Sequence, residues 1–244
     1  MNRILACTLL CWTVVASART EGPLYQARVD LENKASLQRG ARLFTNYCLS
    51  CHSAAYSRYS RVARDLGLTE DEVANNLMFT TDKIGNTMTV AMRRTDAESW
   101  FGTPPPDLSV IARARGADWL YTFLLTFYED PSRPTGVNNL AFKDTAMPHV
   151  LWELQGYQKP VVVTEKDPEG RDVQRIEKLE PSTPGLLDAR QYRDAVRDLV
   201  NFLVYMGEPA KMMRQKMGAW VILFLVVFWL VARQLKKEYW KDVR

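Results

Sequence analysis

Histidine and cysteine are scarce in this chain of 244 residues, which contains two histidines and four cysteines. A structural zinc site takes four ligands and a catalytic zinc site takes three. Cys7 and Cys11 lie in an apolar N-terminal segment that we expect to be removed, so the mature chain keeps only Cys48 and Cys51. Two cysteines are too few for the disulfide framework of a small secreted protein. We also find no internal repeat and no disordered tract.

The N-terminal segment has the features of a secretory signal peptide. Arg3 supplies a positive charge, residues 4–15 are apolar, and Ala16-Ser17-Ala18 offers a small-residue cleavage site. The apolar core holds about 12 residues, which is too short to cross a hydrocarbon layer of about 30 Å. We therefore expect residues 1–18 to be a cleaved signal, with the mature chain of a bacterial exported protein beginning near Arg19.

A second apolar block lies near the C-terminus. Residues 217–232 contain no charge and are bracketed by Lys216 and Arg233. A buried core helix is the alternative, but only a short charged tail follows, and a helix that is apolar on every face belongs in lipid. We expect a transmembrane anchor at residues 211–233 and a basic cytoplasmic tail at residues 234–244, because cytoplasmic flanks are enriched in Lys and Arg. Residues 19–210 would then face the periplasm.

The net charge changes sign when the chain is divided in this way. The whole chain has a formal net charge of +4, whereas residues 19–210 carry 23 basic and 26 acidic side chains. An acidic exported domain gives no reason to expect nucleic-acid binding. It favours association with a basic protein partner.

The two cysteines retained in the mature chain belong to the motif Cys48-Leu49-Ser50-Cys51-His52. This C-x-x-C-H spacing is the attachment signature of c-type haem, in which both thiols add to the vinyl groups of one porphyrin. The adjacent imidazole of His52 can then bind the iron. A zinc site would need more ligands than the chain offers, and a redox dithiol would be expected in a βαβ setting that the sequence does not show. One motif predicts one covalent haem c.

The residues alone leave the second axial ligand open. Met147 precedes Pro148, which biases it to an extended conformation suited to a loop that reaches the iron. Met88, Met92 and His149 remain alternatives. A Met/His pair raises the reduction potential and suits an electron carrier better than an oxygen binder.

The remaining pattern is mainly helical. A capping box formed by Thr69 and Glu72 predicts a helix start, and Thr103-Pro104-Pro105-Pro106-Asp107 predicts a rigid extended loop. Two short strands should form a hairpin around Asp167-Pro168-Glu169-Gly170. We expect the last soluble helix to pack on the first. The predicted helices are 35–47, 69–77, 108–114, 118–128 and 186–206, and the predicted strands are 161–164 and 173–178.

Taken together, these motifs resemble one family, cytochrome c1, the haem subunit of ubiquinol–cytochrome c reductase, over most of the chain. The C-x-x-C-H motif is shared by all c-type cytochromes, whereas the proline-rich motif and the R-A-R that follows it are more specific. The similar segments are Gly40-Ala41-Arg42-Leu43-Phe44 through His52-Ser53, Pro105-Pro106-Asp107-Leu108-Ser109, Arg113-Ala114-Arg115-Gly116, Thr135-Gly136, Ala146-Met147-Pro148, Asp198-Leu199-Val200-Asn201-Phe202-Leu203 and Gly207-Glu208-Pro209.

The resemblance implies a mainly α fold: a class I cytochrome c-like haem domain with loop and β-hairpin insertions and a single C-terminal transmembrane helix. It implies that Met147 is the second ligand and that Arg115 pairs with a haem propionate. It also places Pro106 and Trp119 at the cofactor. Many members have Tyr at the position of Trp119, and the indole N–H can donate in place of that hydroxyl.

The function implied is electron transfer within a reductase complex that oxidises quinol and translocates protons. The chain would take one electron from a Rieske iron–sulfur protein and pass it to a soluble or membrane-anchored cytochrome c, beside cytochrome b in a dimeric complex in the bacterial inner membrane. An alternative is a stand-alone anchored monohaem cytochrome that serves a terminal oxidase. A haem-based sensor would need an open axial position, which a Met147 ligand would fill.

Overall fold

The computed structural model describes residues 24–166 and 170–242. The predicted signal peptide and the tip of the predicted hairpin, residues 167–169, lie outside that range. The described chain is mainly helical, with three small two-stranded antiparallel sheets and one long C-terminal helix that stands apart from the core. This is the fold class expected from the sequence.

The helices and strands alternate along the chain in short pieces until the last two helices. The helices are α1 (Lys34–Leu43), a π-helical turn (Phe44–Cys48), α2 (Tyr59–Leu66), α3 (Glu70–Asn76), α4 (Arg94–Phe101), α5 (Ile111–Arg115), α6 (Ala117–Leu125), α7 (Trp152–Gln155), α8 (Ala189–Gly207) and α9 (Lys211–Tyr239). The strands are β1 (Ala54–Arg58), β2 (Thr87–Met88), β3 (Phe127–Glu129), β4 (Val137–Asn139), β5 (Gly156–Lys166) and β6 (Asp172–Pro184).

Helices α1 and α8 pack directly against each other, as the apolar stripe of α8 predicted. Gly40 permits this approach, because a Cβ at that position would lie 2.1 Å from the carbonyl oxygen of Asp198. One turn later, the rings of Phe44 and Phe202 meet with centroids 5.7 Å apart. The pair therefore forms the centre of the core, and α1 leads from it straight into the haem motif.

A buried polar network locks α1 to α8. The hydroxyl of Ser36 donates to Asp198 over 2.6 Å, and Arg39 donates to the same carboxylate through two nitrogens at 2.5 and 3.0 Å. Asn201 donates to Ser36 and accepts from the backbone N–H of Asp30. Because every partner is hydrogen-bonded, the network fixes the relative position of the two helices without leaving a buried charge unpaired.

Several helix boundaries differ from the sequence prediction; the last soluble helix, expected from residue 186, begins at Ala189 after the capping residue Asp188. Two other differences have specific causes. The helix expected over 118–128 ends at Leu125, because Phe127 begins β3 and pairs with Asn139. The helix expected over 108–114 begins only at Ile111, because the Asp107 side chain accepts a hydrogen bond from the backbone N–H of Ser109 and forms a turn there. In both places a partner distant in sequence or a local side-chain bond overrides helical propensity.

The predicted hairpin is present and is longer than expected. Strand β5 pairs with β6 along its whole length, from Gly156 opposite Pro184 to Lys166 opposite Asp172. The sequence prediction covered only residues 161–164 of β5 and 173–178 of β6, and it missed the buried and half-buried base of β5 at Gly156, Tyr157 and Gln158.

Helix α9 has the length and composition of a membrane span. It contains 29 residues, which corresponds to about 43 Å. Its most apolar stretch of 18 residues has a mean hydropathy of 2.0, and no part of that stretch is buried against the rest of the chain. It is the single candidate span among the described residues. The helix continues past residue 233, the expected end of the anchor, and includes the first part of the expected tail.

Candidate functional site

The haem motif follows α1 without a break because a π-helical turn joins them. The N–H of Leu49 donates to the carbonyl of Phe44 over 2.9 Å, five residues back, which is the π-helical spacing. The buried hydroxyl of Thr45 donates to the carbonyl of Ala41 over 2.6 Å and ties this turn to α1. The N–H of His52 then donates to the carbonyl of Cys48 over 2.8 Å. These bonds place both cysteines and the histidine in one compact turn.

Neither cysteine of the motif forms a disulfide with another described residue. Cys48 is buried and Cys51 is partly exposed. Burial, together with the neighbouring Cys51, raises the pKa of the Cys48 thiol to about 12. Among the described residues no group of three or more His, Cys, Asp or Glu side chains could hold a metal ion. The spacing of the two thiols next to His52 suits covalent attachment to a porphyrin.

The imidazole of His52 is oriented by the proline-rich loop. Its Nδ1 lies 2.8 Å from the carbonyl oxygen of Pro106. Because a carbonyl can only accept, Nδ1 carries the proton and donates, and Nε2 keeps its lone pair for a metal. Burial lowers the pKa of His52, which favours the neutral ring. Pro106 thus acts on the expected ligand through its backbone.

Two neighbouring side chains hold this loop against the haem motif. Asp107 accepts from the N–H of Ala55 over 2.9 Å, and the hydroxyl of Ser109 accepts from the N–H of Tyr56 over 3.1 Å. The N–H of Leu108 also donates to the carbonyl of Ser53. Sequence analysis quoted Asp107 and Ser109 as part of a motif but assigned them no role. Both are short polar residues close to Pro106 in the sequence, and short polar side chains often form hydrogen bonds with nearby backbone groups. That position was the feature from which their role could have been predicted.

Arg115 and Trp119 lie together beside an aromatic cluster. The guanidinium carbon of Arg115 is 4.9 Å from the centroid of the Trp119 ring and 5.7 Å from that of Phe142. Trp119 in turn stacks on Phe123 at 5.1 Å. No ion pair to Arg115 is found within the described parts of the chain, so its planar donors remain available for an anionic group. Phe142 was missed by the sequence analysis, since no pattern marks it.

The loop that carries Met147 is organised by two buried asparagines at the end of β4. Asn139 donates to the carbonyl of Phe123 over 2.7 Å and accepts from the N–H groups of Ala141 and Phe142. Asn138 accepts from the N–H of Asp144 over 2.8 Å. Nothing in the sequence distinguished these residues from ordinary loop asparagines. They satisfy the buried carbonyl of Phe123 and the partly buried N–H groups of the loop.

Met147 itself is half-buried and packs against the hydrophobic core. Its N–H donates to the hydroxyl of the buried Thr145 over 3.2 Å, which fixes the backbone just before Pro148. Within the described residues, no hydrogen bond or ring contact links Met147 to His52 or to Trp119. The structure brings together His52 with Pro106 and Arg115 with Trp119, while Met147 lies on its own loop.

The other ligand candidates from the sequence lie in three different settings. Met88 is fully buried in β2, opposite Ala54 of β1. His149 is 5% exposed and stacks face to face with Phe127, with ring centroids 4.9 Å apart. Burial lowers the pKa of His149 to about 4, so it is a neutral core side chain. Met92 is half-buried in the loop before α4.

The donors of this site are compatible with a covalent haem c. Two adjacent thiols, a neutral imidazole with one nitrogen fixed by a carbonyl, and a thioether on a separate loop match the ligands of a Met/His cytochrome. The stacked aromatic rings and the available guanidinium beside them suit a large planar group that carries carboxylates.

Comparison with known proteins agrees with this geometry. Residues 28–174 and 188–243 match the model of the family described as Cytochrome C1 family. The interval left unmatched, 175–187, falls mostly in β6. The sequence is 44% identical over 245 residues to a protein named Cytochrome c1 from Allochromatium vinosum, with 100% of both chains covered.

Two further relatives carry other names. A protein named Ammonia monooxygenase gamma subunit from Nitrosomonas europaea is 45% identical over 247 residues, covering 98% of this chain and 97% of the relative. A protein named Cytochrome b/c1 from Bradyrhizobium diazoefficiens is 24% identical over 245 residues, covering 86% of this chain and 34% of the relative.

Proposed function

Because this chain belongs to the cytochrome c1 family, we propose that it carries single electrons from a Rieske iron–sulfur protein to a cytochrome c acceptor. Membership supports a haem electron-transfer subunit of the bc1 complex, in which the complex as a whole is the reductase. The observation that carries the proposal is the His52 imidazole, held by the Pro106 carbonyl directly after Cys48 and Cys51.

We assign the attachment of haem c to four side chains. Cys48 and Cys51 form the two thioether bonds, and His52 and Met147 supply the axial ligands. When bound, the haem provides a reversible one-electron couple, with a potential raised by a Met/His ligand pair. Arg115 binds a propionate, and Trp119 packs at the cofactor with its indole N–H available as a donor. Pro106 contributes its carbonyl to His52 rather than a side chain.

The chain's own residues perform three tasks in this function. The buried core around Phe44 and Phe202 excludes water from one side of the site. The Pro106 carbonyl keeps the proton of His52 on Nδ1, so the coordinating nitrogen stays available at neutral pH. The asparagines at the end of β4 hold the Met147 loop in place. A ligand set that is fixed in this way changes little between oxidation states, which favours fast electron transfer.

We place the haem domain in the periplasm and the C-terminus in the cytoplasm of a bacterial inner membrane. The support is the order of segments: a signal-like N-terminus outside the described residues, then a soluble domain, then α9. Five cations follow the uncharged block 217–232, namely Arg233, Lys236, Lys237, Lys241 and Arg244, whereas three lie just before it. This orientation puts the site on the side where a mobile acceptor would meet it.

The proposed partners are cytochrome b, the Rieske protein, a cytochrome c and membrane lipid around α9. The name of the Bradyrhizobium diazoefficiens relative, Cytochrome b/c1, supports cytochrome b as a neighbour. We also propose that the complex is dimeric. We propose no nucleic-acid partner, because residues 19–210 carry more acidic than basic side chains.

Quinol-driven reduction in membranes tests this function. Membranes that contain the chain are given a quinol, and reduction is followed by the haem α-band with and without the Rieske protein. We expect rapid reduction only when the Rieske protein is present, and full reduction by a chemical reductant in both samples. Equal quinol-driven rates in the two samples would contradict the proposal and favour a stand-alone shuttle.

A further inference from the structure

The β5–β6 hairpin is anchored firmly at its base. The side-chain amide of Gln158 donates to the carbonyls of Leu125 and Phe127 at 3.0 and 2.9 Å. Gly156 and Gly185 allow the strands to meet α7 closely, since a Cβ on Gly185 would lie 2.4 Å from the carbonyl oxygen of Leu154. The base of this hairpin arm is therefore fixed to the rest of the soluble part of the chain.

Beyond this base the arm is exposed. Val162 of β5 is 48% exposed and Val173 of β6 is 46% exposed. Within the described residues β5 forms a backbone ladder only with β6, so the outer edge of β5 beyond Gln158 keeps its backbone groups unpaired. A two-stranded ribbon with apolar side chains and an open edge is marginal in water and is prone to pair with another strand.

The charges of the arm limit which partner would pair with it. Most of them are paired inside the hairpin, for example Lys166 with Asp172 and Lys178 with Glu180. Lys159 has no ion-pair partner in the described parts of the chain, and Glu165 has only a 3.5 Å contact with Arg175. An arm with little net charge would not attract a strongly acidic or basic partner.

The sequence of β5 is complementary to itself when read antiparallel. In Lys159-Pro160-Val161-Val162-Val163-Thr164-Glu165, a two-fold axis at Val162 places Val161 opposite Val163. The same axis places Lys159 opposite Glu165 on both sides. Opposite charges and β-branched pairs are the favourable cross-strand neighbours. Pro160 has no backbone N–H and cannot donate to a new β5–β5 ladder. The hydrogen bonds of that ladder would therefore come from residues next to the two-fold axis and at the two ends of the paired segment.

We propose that the outer edge of β5 pairs antiparallel with β5 of a second copy of this chain, with the two-fold axis at Val162. The two hairpins then form a four-stranded sheet between two haem domains. In an isologous contact each interaction occurs twice. Lys159 of each copy therefore lies opposite Glu165 of the other copy. The contact involves none of the residues assigned to the haem, so its failure would leave the proposed function intact.

Cysteine cross-linking in native membranes tests the axis. The full-length chain with Val162→Cys is oxidised mildly and compared with the parent and with Thr164→Cys. The Cα atoms of the two copies of position 162 would lie about 5 Å apart, within disulfide range, whereas those of position 164 would be about 13 Å apart along the strands. We expect a haem-staining dimer band for Val162→Cys alone. A parent-level signal for Val162→Cys, an equal signal for Thr164→Cys, or a cross-link to another subunit would overturn the proposal.

A charge exchange tests the register independently. Lys159→Glu in the Val162→Cys background removes both opposite-charge pairs and should lower the dimer yield by about fivefold. Adding Glu165→Lys restores the pairs with reversed sign and should restore the yield. Retained haem staining verifies that each variant is folded. An unchanged yield in the single variant, or no recovery in the double variant, would overturn the register.

Discussion

The proposed chemistry depends on a few side chains whose partners are backbone groups. Pro106 acts through a carbonyl and fixes the tautomer of His52. Thr145 and Asn139 act on the loop that carries Met147 by accepting from its N–H groups. The ligands are thus positioned by residues that would never touch the iron, as is usual for metal sites.

Replacing Met147 by Leu tests the second ligand. Leu has nearly the same volume but no thioether, so the covalent haem should remain while the potential falls by roughly 0.2 V, within the ~0.8 V range that axial ligands span. Redox titration of the purified protein measures the change. Met88→Leu and Met92→Leu serve as controls and should leave the potential near that of the parent. A fall in one of these controls instead would transfer the assignment to that methionine.

Replacing Asn139 by Ala tests the support of the Met147 loop. The change leaves the Phe123 carbonyl and the N–H groups of Ala141 and Phe142 without this partner. Unsatisfied buried groups cost about 1–3 kcal/mol each, so we expect a loss of roughly 2–4 kcal/mol in the free energy of unfolding. Chemical denaturation measures it. Asn76→Ala, at the exposed end of α3, should change stability by less than about 1 kcal/mol; equal losses would show that Asn139 has no special role.

At the scale of elements, the α1–α8 contact determines where the haem motif sits. Gly40→Ala introduces a Cβ that would overlap the Asp198 carbonyl. Separating the helices should cost about 2–3 kcal/mol, at the upper end of overpacking effects. Thermal unfolding of the holoprotein compares this variant with Gly85→Ala, where a Cβ meets nothing within 4 Å. Parent-like stability of Gly40→Ala would contradict the close packing.

The turn between β3 and β4 should respond to acid. Asp130 accepts from the N–H and hydroxyl of Ser132 and from the amide of Asn138, and these bonds lower its pKa below the ordinary 3.8. The folded pKa lies below the unfolded one, so the stabilisation is complete above the ordinary value and is lost as the pH falls through the folded value.

The measurement for this turn is the pH dependence of urea unfolding. Asp130→Asn should be less stable than the parent near neutral pH, and the difference should shrink as the pH falls below about 4. A difference that stays constant down to about pH 2 would mean that the Asp130 carboxylate is not the responsible group.

Elements with local signals were predictable, and elements that depend on distant partners were not. The capping box of Thr69 and Glu72 marked the start of α3 correctly. The end of α6 was missed, because the strand at Phe127 exists only through its pairing with β4. At the site, the C-x-x-C-H motif was identifiable by residue type and Met147 stood out only through the family resemblance, whereas Asn139 and Phe142 carried no signal. Their importance comes from contacts that the folded chain creates.

At the scale of the whole molecule, charge is divided between an acidic domain and a basic tail. In the proposed division of the chain, residues 19–210 carry 23 basic and 26 acidic side chains, and five cations follow residue 232. We expect electron transfer to a basic cytochrome c to slow as ionic strength rises, because the Debye length shortens from about 10 Å at 0.1 M to about 3 Å at 1 M. Stopped-flow rates over that range measure this effect. Rates independent of salt would remove the electrostatic argument for a basic acceptor.

The central claim is that this chain works as the haem subunit of a bc1 complex, and co-purification tests it most directly. The full-length chain, tagged at its C-terminus, is extracted from its native membrane in a mild detergent, and the bound proteins are identified by mass spectrometry. We predict that cytochrome b and a Rieske iron–sulfur protein are recovered in amounts equal to the tagged chain. Recovery of the haem-bearing chain without either protein would contradict it.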